Sequence, residues 1–525
     1  MKIHKLYISL LLVGGSVLAA CSDLLDTHQL GVTSTEDFYK TDEDAEEAAV
    51  AVYGALADAY FDFFMMTNCL SDDAWCGGGS RGDNANYEMM NEYRFTADAG
   101  TISTVFSNMY KIIYRANLVL NNVQPDSDVK RRCIAEAHVF RAYAYFQLVT
   151  LWGPAPLITE AQRTNLKVGN STVESLWQQI EDDLQQAIDS KMLPEKTSVD
   201  DNVTGIRITH QVAQALLGKA YVFQGKYPEA MTILDEVIDS GKYDLFRGDY
   251  GDIFLAANNN NCESMLEINR VNDPSMYGYS STAIMIGWRP EKFSNLFALS
   301  TAGILDIYTN GWGYINPTKK LYDAFVAEEG EDGYRLNQTM KTYVGLNQEM
   351  GLTLADGEYY YGSEGYFIWK NRTSNQNYVQ TTWAGFWNND RIMRFAEVLF
   401  LAAEAHIQGG GTRADEYINR IRERAHLAPI SNATMDDLKK EKRLELCMEC
   451  VRYQDLVRWG DAATLLKDQG KQVPALYGIT ADGTMDIRFT WTNEGVGFVA
   501  GKHDLLPFPQ EEININPNIE QNPNW

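Results

Sequence analysis

The sequence predicts a mostly α-helical protein, in which a scaffold of tetratricopeptide-like helix pairs is joined to a long, irregular, loop-rich region that carries a few short strands. Residues 209–240 show the pattern of two helices around a tight turn. The residues at the relative spacings of the tetratricopeptide consensus are Leu217, Gly218, Tyr221 and Ala230. One such pair cannot bury its own apolar face, so several pairs must stack. Between residues 243 and 390, Gly, Asn, Tyr and Trp are frequent and no helical period is sustained, which predicts the loop-rich region.

Four further helices are predicted in the N-terminal half, at residues 37–60, 105–123, 133–151 and 173–188. Apolar residues in these segments recur at intervals of three or four, as the buried stripe of a helix requires. Thr41 is placed to cap the first helix, and Ser171 or Thr172 to cap the last. The third helix should stop before Pro154, because proline cannot continue a helix.

Irregular segments lie between and after these helices. Residues 68–91 combine glycines, acids, asparagines and two aromatic residues without a period, which predicts a surface loop. Short strands are expected in and near residues 364–370, and a short helix at 321–325. The chain is thereby divided into a signal segment, an N-terminal helical region and a C-terminal region with the loop-rich insert and closing helices, at residues 1–20, 21–242 and 243–525.

The segment 391–460 predicts three helices. The first covers residues 391–408 and ends at three glycines, after which Thr412 offers its side chain to cap the second helix. The third is predicted over residues 441–460, with charged side chains around its whole circumference, some of which should pair with each other. These charged residues are Arg443, Glu445, Glu449, Arg452, Asp455 and Arg458.

Four motifs in this last quarter of the chain carry a family resemblance. They are Phe395-Ala396-Glu397 with Ala403-Glu404-Ala405, the string INxIRxRAxL at 418–427, the string ExRxELxxExxRxxDLxRWG at 441–460, and the closing LLPFPQEEININPNIEQNPNW. In this order they resemble the SusD/RagB family of outer-membrane lipoproteins of Bacteroidetes. The resemblance implies a nutrient-capture lipoprotein that lies as a lid on a SusC-like TonB-dependent transporter. It would hold an oligosaccharide, or in some members a peptide, before import.

The N-terminus predicts export and a lipid anchor. Lys2 and Lys5 precede the apolar run 6–18, which is too short to span a membrane as a helix and has the form of a secretory signal. The following Leu-Ala-Ala-Cys string looks like a bacterial lipobox, so Cys21 is expected to be lipidated; simple cleavage after Ala20 is the alternative. No second apolar run of spanning length is expected, which favours an outer-membrane protein held by lipid and facing outward.

Charge and cysteine content exclude several functions. The net charge is −26, and removal of Lys2 and Lys5 with the signal makes it −28, so nucleic acid is a poor candidate ligand and neutral polymers are favoured over acidic ones. Cys69 and Cys76 flank a loop and could form a disulfide. Cys447 and Cys450 are interpreted as helix-packing residues, because no second CxxC or ligand histidine accompanies them. No cofactor or metal is predicted.

Candidate ligand-binding residues are aromatic and polar side chains in the loop-rich segments. A neutral sugar offers flat apolar faces and rings of hydroxyls, which aromatic platforms edged by amides, carboxylates and Arg can bind. The candidates are Trp75, Asp73, Arg81, Asn84, Tyr277, Tyr279, Trp288 and Trp312. For each aromatic residue, buried packing is the competing interpretation.

Three functions remain possible from the sequence. The first is a non-enzymatic lipoprotein that binds oligosaccharide and delivers it to the transporter, with a peptide as the alternative ligand. The second is an extracellular glycosidase, although no catalytic residue can be chosen among 71 carboxylates. The third is a structural adaptor for the transporter that binds no ligand itself.

Overall fold

The computed structural model describes residues 38–161, 164, 166–271, 273, 281–372, 374–375, 386–494 and 496–525. The predicted signal segment and Cys21 lie outside these residues. The helices are α1 (Asp42–Cys69), α2 (Ala85–Asn91), α3 (Gly100–Asn122), α4 (Asp128–Trp152), α5 (Val173–Asp189), α6 (His210–Gln224), α7 (Tyr227–Asp239), α8 (Ser281–Ile286), α9 (Leu296–Thr301), α10 (Lys319–Glu329), α11 (Tyr334–Thr339), α12 (Tyr343–Met350), α13 (Phe395–Gly409), α14 (Ala414–Arg424), α15 (Met435–Leu446), α16 (Arg452–Arg458), α17 (Ala462–Leu465) and α18 (Gln510–Ile515).

The strands are short and pair antiparallel. They are β1 (Ala74–Gly77), β2 (Ser264–Ile268), β3 (Tyr314–Pro317), β4 (Met340–Thr342), β5 (Tyr360–Tyr361), β6 (Tyr366–Ile368), β7 (Asp390–Arg394), β8 (Gln472–Ile479) and β9 (Met485–Thr492). Three two-stranded pairs, β1·β3, β2·β7 and β4·β6, accompany one three-stranded sheet in the order β5-β8-β9. The predicted fold class, mostly helical with tetratricopeptide-like pairs and a few short strands, is confirmed.

The helices pack as successive pairs around one large core. α1 packs against α3 and α4, α4 against α5, α6 against α7, and α13 against α7 and α14. The close approach of α6 and α7 depends on Gly218, because a Cβ atom there would lie 2.4 Å from Cδ2 of Leu234. A second, smaller core lies under the three-stranded sheet and includes Trp288 and Leu476.

Several predicted helix boundaries are confirmed by their caps. The Thr41 side chain accepts a hydrogen bond from the Asp44 amide, and the Asp44 carboxylate accepts one from the Thr41 amide, which completes a capping box. Thr172, and not Ser171, caps α5. α4 ends at Trp152, where Gly153 has a positive φ of 73°.

The first helix differs from its prediction. It continues to Cys69, nine residues beyond the predicted end at residue 60. It is long and apolar enough to span a membrane, which corrects the expectation that no second such run exists. However, 56% of its most apolar window is buried inside the protein, which is the environment of a core helix.

The predicted surface loop at residues 68–91 is wrong in most of its length. It contains the end of α1, the strand β1 and the helix α2, and residues 68–78 are buried. Only residues 79–84 form an exposed or half-buried loop. Cys69 and Cys76 are free buried thiols. The segment lacks a helical period because it is folded against distant parts of the chain.

The predicted single helix at 441–460 is also wrong. α15 ends at Leu446 and α16 begins at Arg452, and the turn between them places Met448 and Cys450 at positive φ. Cys447 and Cys450 therefore lie in this turn, where they are buried in the main core. The second predicted cap is wrong too: Arg413, not Thr412, precedes α14, and its side chain makes no cap.

Candidate ligand-binding surface

The pairing of β1 with β3 brings two sequence-distant loops together. Residues 78–84 follow β1 and residues 310–313 precede β3, and the Gly78 amide donates to the Gly313 carbonyl at 2.9 Å. A Cβ atom at Gly77 would lie 2.2 Å from the Gly313 carbonyl oxygen, so this approach requires glycine. The irregular N-terminal segment and the loop-rich insert therefore form one surface.

Asp83 is the centre of the hydrogen bonds on this surface. Its Oδ2 accepts from the Gly79 amide at 2.8 Å, from the Tyr314 hydroxyl at 3.0 Å and from Arg289 at 3.3 Å. Burial and the Asp83 charge raise the pKa of Tyr314, so its hydroxyl remains a donor at neutral pH. Asp83 is still 37% exposed and can accept hydrogen bonds from a ligand.

Arg289 extends the same surface towards Trp312. Its Nη1 donates to the Trp312 carbonyl at 3.1 Å, and its Nε donates to Glu291 at 2.6 Å. The guanidinium lies against Gly79, where a Cβ atom would be 2.9 Å away. The Trp312 side chain is half-buried and packs on the edge of the main core. Arg289 therefore contacts the main chain of Trp312, whose side chain packs against the main core.

Arg81 joins this surface to the three-stranded sheet. Its guanidinium donates to Glu92 at 2.9 Å and to the Tyr361 hydroxyl at 3.0 Å. The hydrogen bond to Glu92 raises the pKa of Arg81, so the guanidinium is charged. The Gly82 amide donates to Glu88 at 2.7 Å and fixes the loop beside it.

The sheet presents aromatic side chains on the face away from the second core. Tyr360, Leu476 and Ile487 lie opposite one another in register and point into that core. Their neighbours in sequence must therefore lie on the other face. Tyr359 and Tyr477 are such neighbours, and both are half-buried. The half-buried Trp491 lies on the same face, because a register shift between Val473 and Pro474 pairs it with Val473.

These three rings are in contact. Tyr359 and Tyr477 stack with centroids 5.3 Å apart, and Trp491 lies 6.1 Å from Tyr359. Trp491 also meets the Tyr361 ring edge-on at 5.0 Å. Among the described residues, nothing accepts a hydrogen bond from the Trp491 indole nitrogen. A flat apolar ring with an available donor is the kind of group that binds a sugar.

The predicted site residues are distributed between this surface and the interior. Arg81 and Trp312 belong to the surface, and Asn84 lies beside it, where its side chain accepts from the Tyr87 amide and caps α2. Tyr277 and Tyr279 lie outside the described residues. The three others, Trp75, Asp73 and Trp288, are buried, and each side chain makes at least one hydrogen bond within the protein.

These buried residues have structural contacts. Trp75 is 9% exposed and its indole donates to Glu364 at 2.9 Å. Asp73 is fully buried and accepts from Nε of Arg443 at 2.7 Å. Trp288 is 2% exposed within the second core, and its indole donates to the Ile368 carbonyl at 3.1 Å. For these three, packing is the interpretation that agrees with the structure.

The sequence-based selection omitted Tyr359, Tyr477, Trp491 and Arg289. The alternation of apolar and polar residues through 485–492 predicts a strand, but it would place Trp491 on the same face as Ile487. The register shift between Val473 and Pro474 moves Trp491 to the other face, and no pattern in the sequence indicates that shift. No signal pointed to Arg289 either, whose position depends on the pairing of β1 with β3. Within the described residues, no group of three or more His, Cys, Asp or Glu side chains is arranged to hold a metal ion.

Comparison with known proteins gives consistent matches along the chain. Residues 40–222 match the family model described as starch-binding associating with outer membrane, and residues 288–525 match the model of the SusD family. The chain is 27% identical over 473 residues to a SusD-like protein of Bacteroides ovatus, covering 84% of this chain and 80% of that protein. It is 25% identical over 564 residues to the SusD-like protein P2 of Formosa agariphila, covering 99% of each.

Solved structures give the same result. A laminarin binding SusD-like protein superposes with a TM-score of 0.77 at 28% identity, covering 93% of this chain and 100% of that one. The surface glycan-binding protein A from Bacteroides thetaiotaomicron, in complex with laminarihexaose, gives a TM-score of 0.73 at 24% identity, covering 92% and 99%. At that identity, the second likeness shows the fold alone.

Proposed function

Because this chain belongs to the SusD/RagB family, we propose that it is a surface-exposed, non-catalytic lipoprotein that binds an oligosaccharide and delivers it to a partner TonB-dependent outer-membrane transporter. Cys21 would carry the lipid anchor. The two solved structures named above are described as binding proteins, which supports binding without turnover.

One observation carries the binding part of the proposal. Three half-buried rings of the sheet, Tyr359, Tyr477 and Trp491, lie beside the loop that carries Arg81, because Trp491 contacts the tyrosine to which Arg81 donates. The half-buried Trp312 lies beside the pair of Arg289 and Asp83, because its carbonyl accepts from Arg289. Rings supply the flat apolar contact for a sugar face, and the charged groups supply acceptors and donors for its hydroxyls. We refer to these seven residues as the aromatic surface.

The ligand class follows from charge and from the relatives. A net charge of −26 disfavours anionic polymers at long range, so a neutral glycan is expected. Since a 28%-identical structure is a laminarin binding protein, a laminarin-type glucan is the first ligand to test. A peptide remains the alternative, because tyrosine and tryptophan contribute to peptide recognition equally well.

Titration of the soluble form, beginning at Ser22, tests the proposal. Laminarihexaose, other neutral and acidic oligosaccharides, and mixed peptides would be titrated while tryptophan fluorescence is followed and products are assayed. We expect saturation by one class of neutral glycan without product. Product formation would contradict the non-catalytic proposal, and saturation by peptides alone would replace the glycan with the alternative ligand.

Variants locate the binding. Trp491→Ala and Trp312→Ala should each weaken binding roughly tenfold, which corresponds to about 1.4 kcal/mol, because each removes one stacking face. Tyr114→Ala is the matched control, since Tyr114 is a 52% exposed ring on α3 that is not part of the aromatic surface. Equal binding by all three variants would contradict the proposed location. In cells, Cys21→Ala should release the protein from the membrane fraction.

A further inference from the structure

A second concave site lies away from the aromatic surface. It is a cavity of about 420 Å³ bordered by α10, α11, α12, β4, β6 and the first residue of β9, and it shares no residue with the aromatic surface. Pockets for small molecules typically enclose roughly 300–1,000 Å³, so this cavity has room for a ligand.

The wall of the cavity includes two stacked tyrosines. Tyr322 projects from α10 and Tyr366 from β6, with ring centroids 4.5 Å apart and planes inclined by 25°. Tyr366 is only 3% exposed. Neither hydroxyl makes a hydrogen bond with any of the described residues.

The Tyr366 hydroxyl opens into the cavity. The Tyr366 side chain as a whole is buried, but its hydroxyl oxygen is accessible. Since Tyr366 lines the cavity, that oxygen faces the open space. A buried polar group normally has a hydrogen-bond partner in the protein or in solvent. Here that partner must come from the occupant of the cavity, either water or the hydroxyl of a ligand.

The rim of the cavity adds both acceptors and donors. Glu331, Asp332 and Glu349 supply carboxylates, while Gln348 and Lys341 supply donors. Lys341 forms neither a hydrogen bond nor a salt bridge with the described residues, and its ammonium lies 5.3 Å from the Trp369 ring centroid. Three carboxylates against one ammonium disfavour an anionic ligand. Mixed donors and acceptors around a tyrosine pair match the hydroxyls and the ring face of a neutral sugar.

We propose that this cavity is a second saccharide-binding site, which takes one or two rings of a neutral sugar independently of the aromatic surface. The inference extends the proposed glycan-binding function to a second position on the molecule. A ligand long enough to contact both sites would bind more tightly than either site alone allows.

The test separates the two sites by mutation. The double variant Trp312→Ala/Trp491→Ala should lose most laminarihexaose affinity but retain saturable binding of a neutral disaccharide such as laminaribiose, cellobiose or maltose, measured by ligand-observed NMR. Adding Tyr366→Phe should weaken that remaining binding at least fivefold, because the substitution removes only the hydroxyl and leaves the ring stack in place. Gln348→Ala, at an exposed rim position, tests the site without any change to the core.

The outcomes distinguish failure of this inference from failure of the proposed function. If disaccharide binding disappears in the double variant, or is unchanged by Tyr366→Phe and Gln348→Ala, there is no second site and the aromatic surface stands alone. If the double variant binds laminarihexaose as the wild type does, but Tyr366→Phe does not, the cavity is a saccharide site and the aromatic surface is not. Because carboxylates outnumber ammonium groups at the rim, a small cation is the competing ligand. Saturation by lysine amide, with no response to any disaccharide, would overturn the saccharide assignment.

Discussion

At the scale of single residues, the most unusual feature is a buried cluster of charges around Glu445. Its Oε1 accepts from Nη2 of Arg424 at 2.6 Å and from Nη1 of Arg394 at 3.1 Å, and its Oε2 accepts from Arg335 at 3.3 Å. Glu445 is fully buried, and Arg335 and Arg394 are each about 1% exposed. Removal of one partner from such a cluster leaves uncompensated buried charge, which typically costs about 3–5 kcal/mol.

Glu445 should make stability depend on pH in the acid range. Burial alone would raise its pKa, but Arg424, Arg394 and Arg335 outweigh that effect and lower the pKa to about 2. Since the unfolded state binds the proton at a higher pH than the folded state, this contribution is complete above the ordinary pKa of 4.5 and is lost as pH falls towards 2. Urea unfolding at a series of pH values should show the loss.

Two variants identify the group responsible. Glu445→Gln should lower the free energy of unfolding by about 3–5 kcal/mol at neutral pH and reduce its dependence on pH between about 2 and 4.5. Glu494→Gln is the control, since Glu494 is exposed. Part of the acid dependence should persist in both, because Arg452 and Arg443 outweigh burial and lower the pKa of Asp72 to about 2 as well. An unchanged pH profile in Glu445→Gln would contradict this role.

The residue types in the sequence predicted the chemistry of the candidate site, but they predicted only some of the residues that form it. Arg81 and Trp312 were predictable, because an arginine and an indole in a glycine-rich segment are suited to contact with ligand. Trp288 and Asp73 have the same kind of sequence neighbours, yet they are buried by segments that are distant in the chain. Local composition does not show which residues will be buried by distant segments, so it could not distinguish Trp288 and Asp73 from Trp312.

At the scale of elements, the stacking of helix pairs depends on small residues at the crossings. Gly218 on α6 is surrounded by α7, and a Cβ atom there would lie 2.4 Å from Leu234 and 3.2 Å from Ile233. Gly54 on α1 has the opposite environment: it is exposed, and the nearest atom to an added Cβ is Nη1 of Arg115 at 3.8 Å. The two glycines therefore form a matched pair for mutation.

Alanine should have opposite effects at these two positions. Gly54→Ala should stabilise the protein by about 0.5–1 kcal/mol, because alanine is a better helix former than glycine and meets no obstacle. Gly218→Ala should destabilise it by about 1–3 kcal/mol, because the cost of the steric clash with α7 is larger than the gain in helix propensity. Thermal unfolding of both variants measures the difference. Stabilisation by Gly218→Ala would show that the α6·α7 crossing can relax.

Elements that follow a local period were predictable, and those fixed by remote partners were not. The helices with apolar stripes and local caps, such as α1 with Thr41 and α5 with Thr172, follow from sequence. The break between α15 and α16 does not, because Met448 and Cys450 carry side chains at positive φ, which sequence alone disfavours. Remote contacts favour the break: Glu449 within it pairs with Arg394, and Arg452 directly after it pairs with Asp72.

At the scale of the whole molecule, the C-terminal segment packs against the N-terminal helices and forms hydrogen bonds with them. The Trp152 indole donates to the Pro507 carbonyl at 2.9 Å, and the Leu506 amide donates to the Leu151 carbonyl at 2.7 Å. The main core includes residues from Ala45 to Ile519. The two halves of the sequence should therefore unfold together, with coincident transitions by tryptophan fluorescence and circular dichroism.

Asn522 provides a direct test of that connection. Its buried side-chain amide donates to the Trp152 carbonyl at 2.9 Å and to the Leu506 carbonyl at 2.7 Å, so it closes the end of α4 against the C-terminal segment. Asn522→Ala leaves both carbonyls without this partner and should cost about 1–3 kcal/mol. Asn518→Ala is the matched control and should change stability by at most about 0.5 kcal/mol, because water can replace its exposed bond to Lys167. If the halves are one cooperative unit, Asn522→Ala shifts both probes equally; a shift confined to one probe would show that the halves unfold separately.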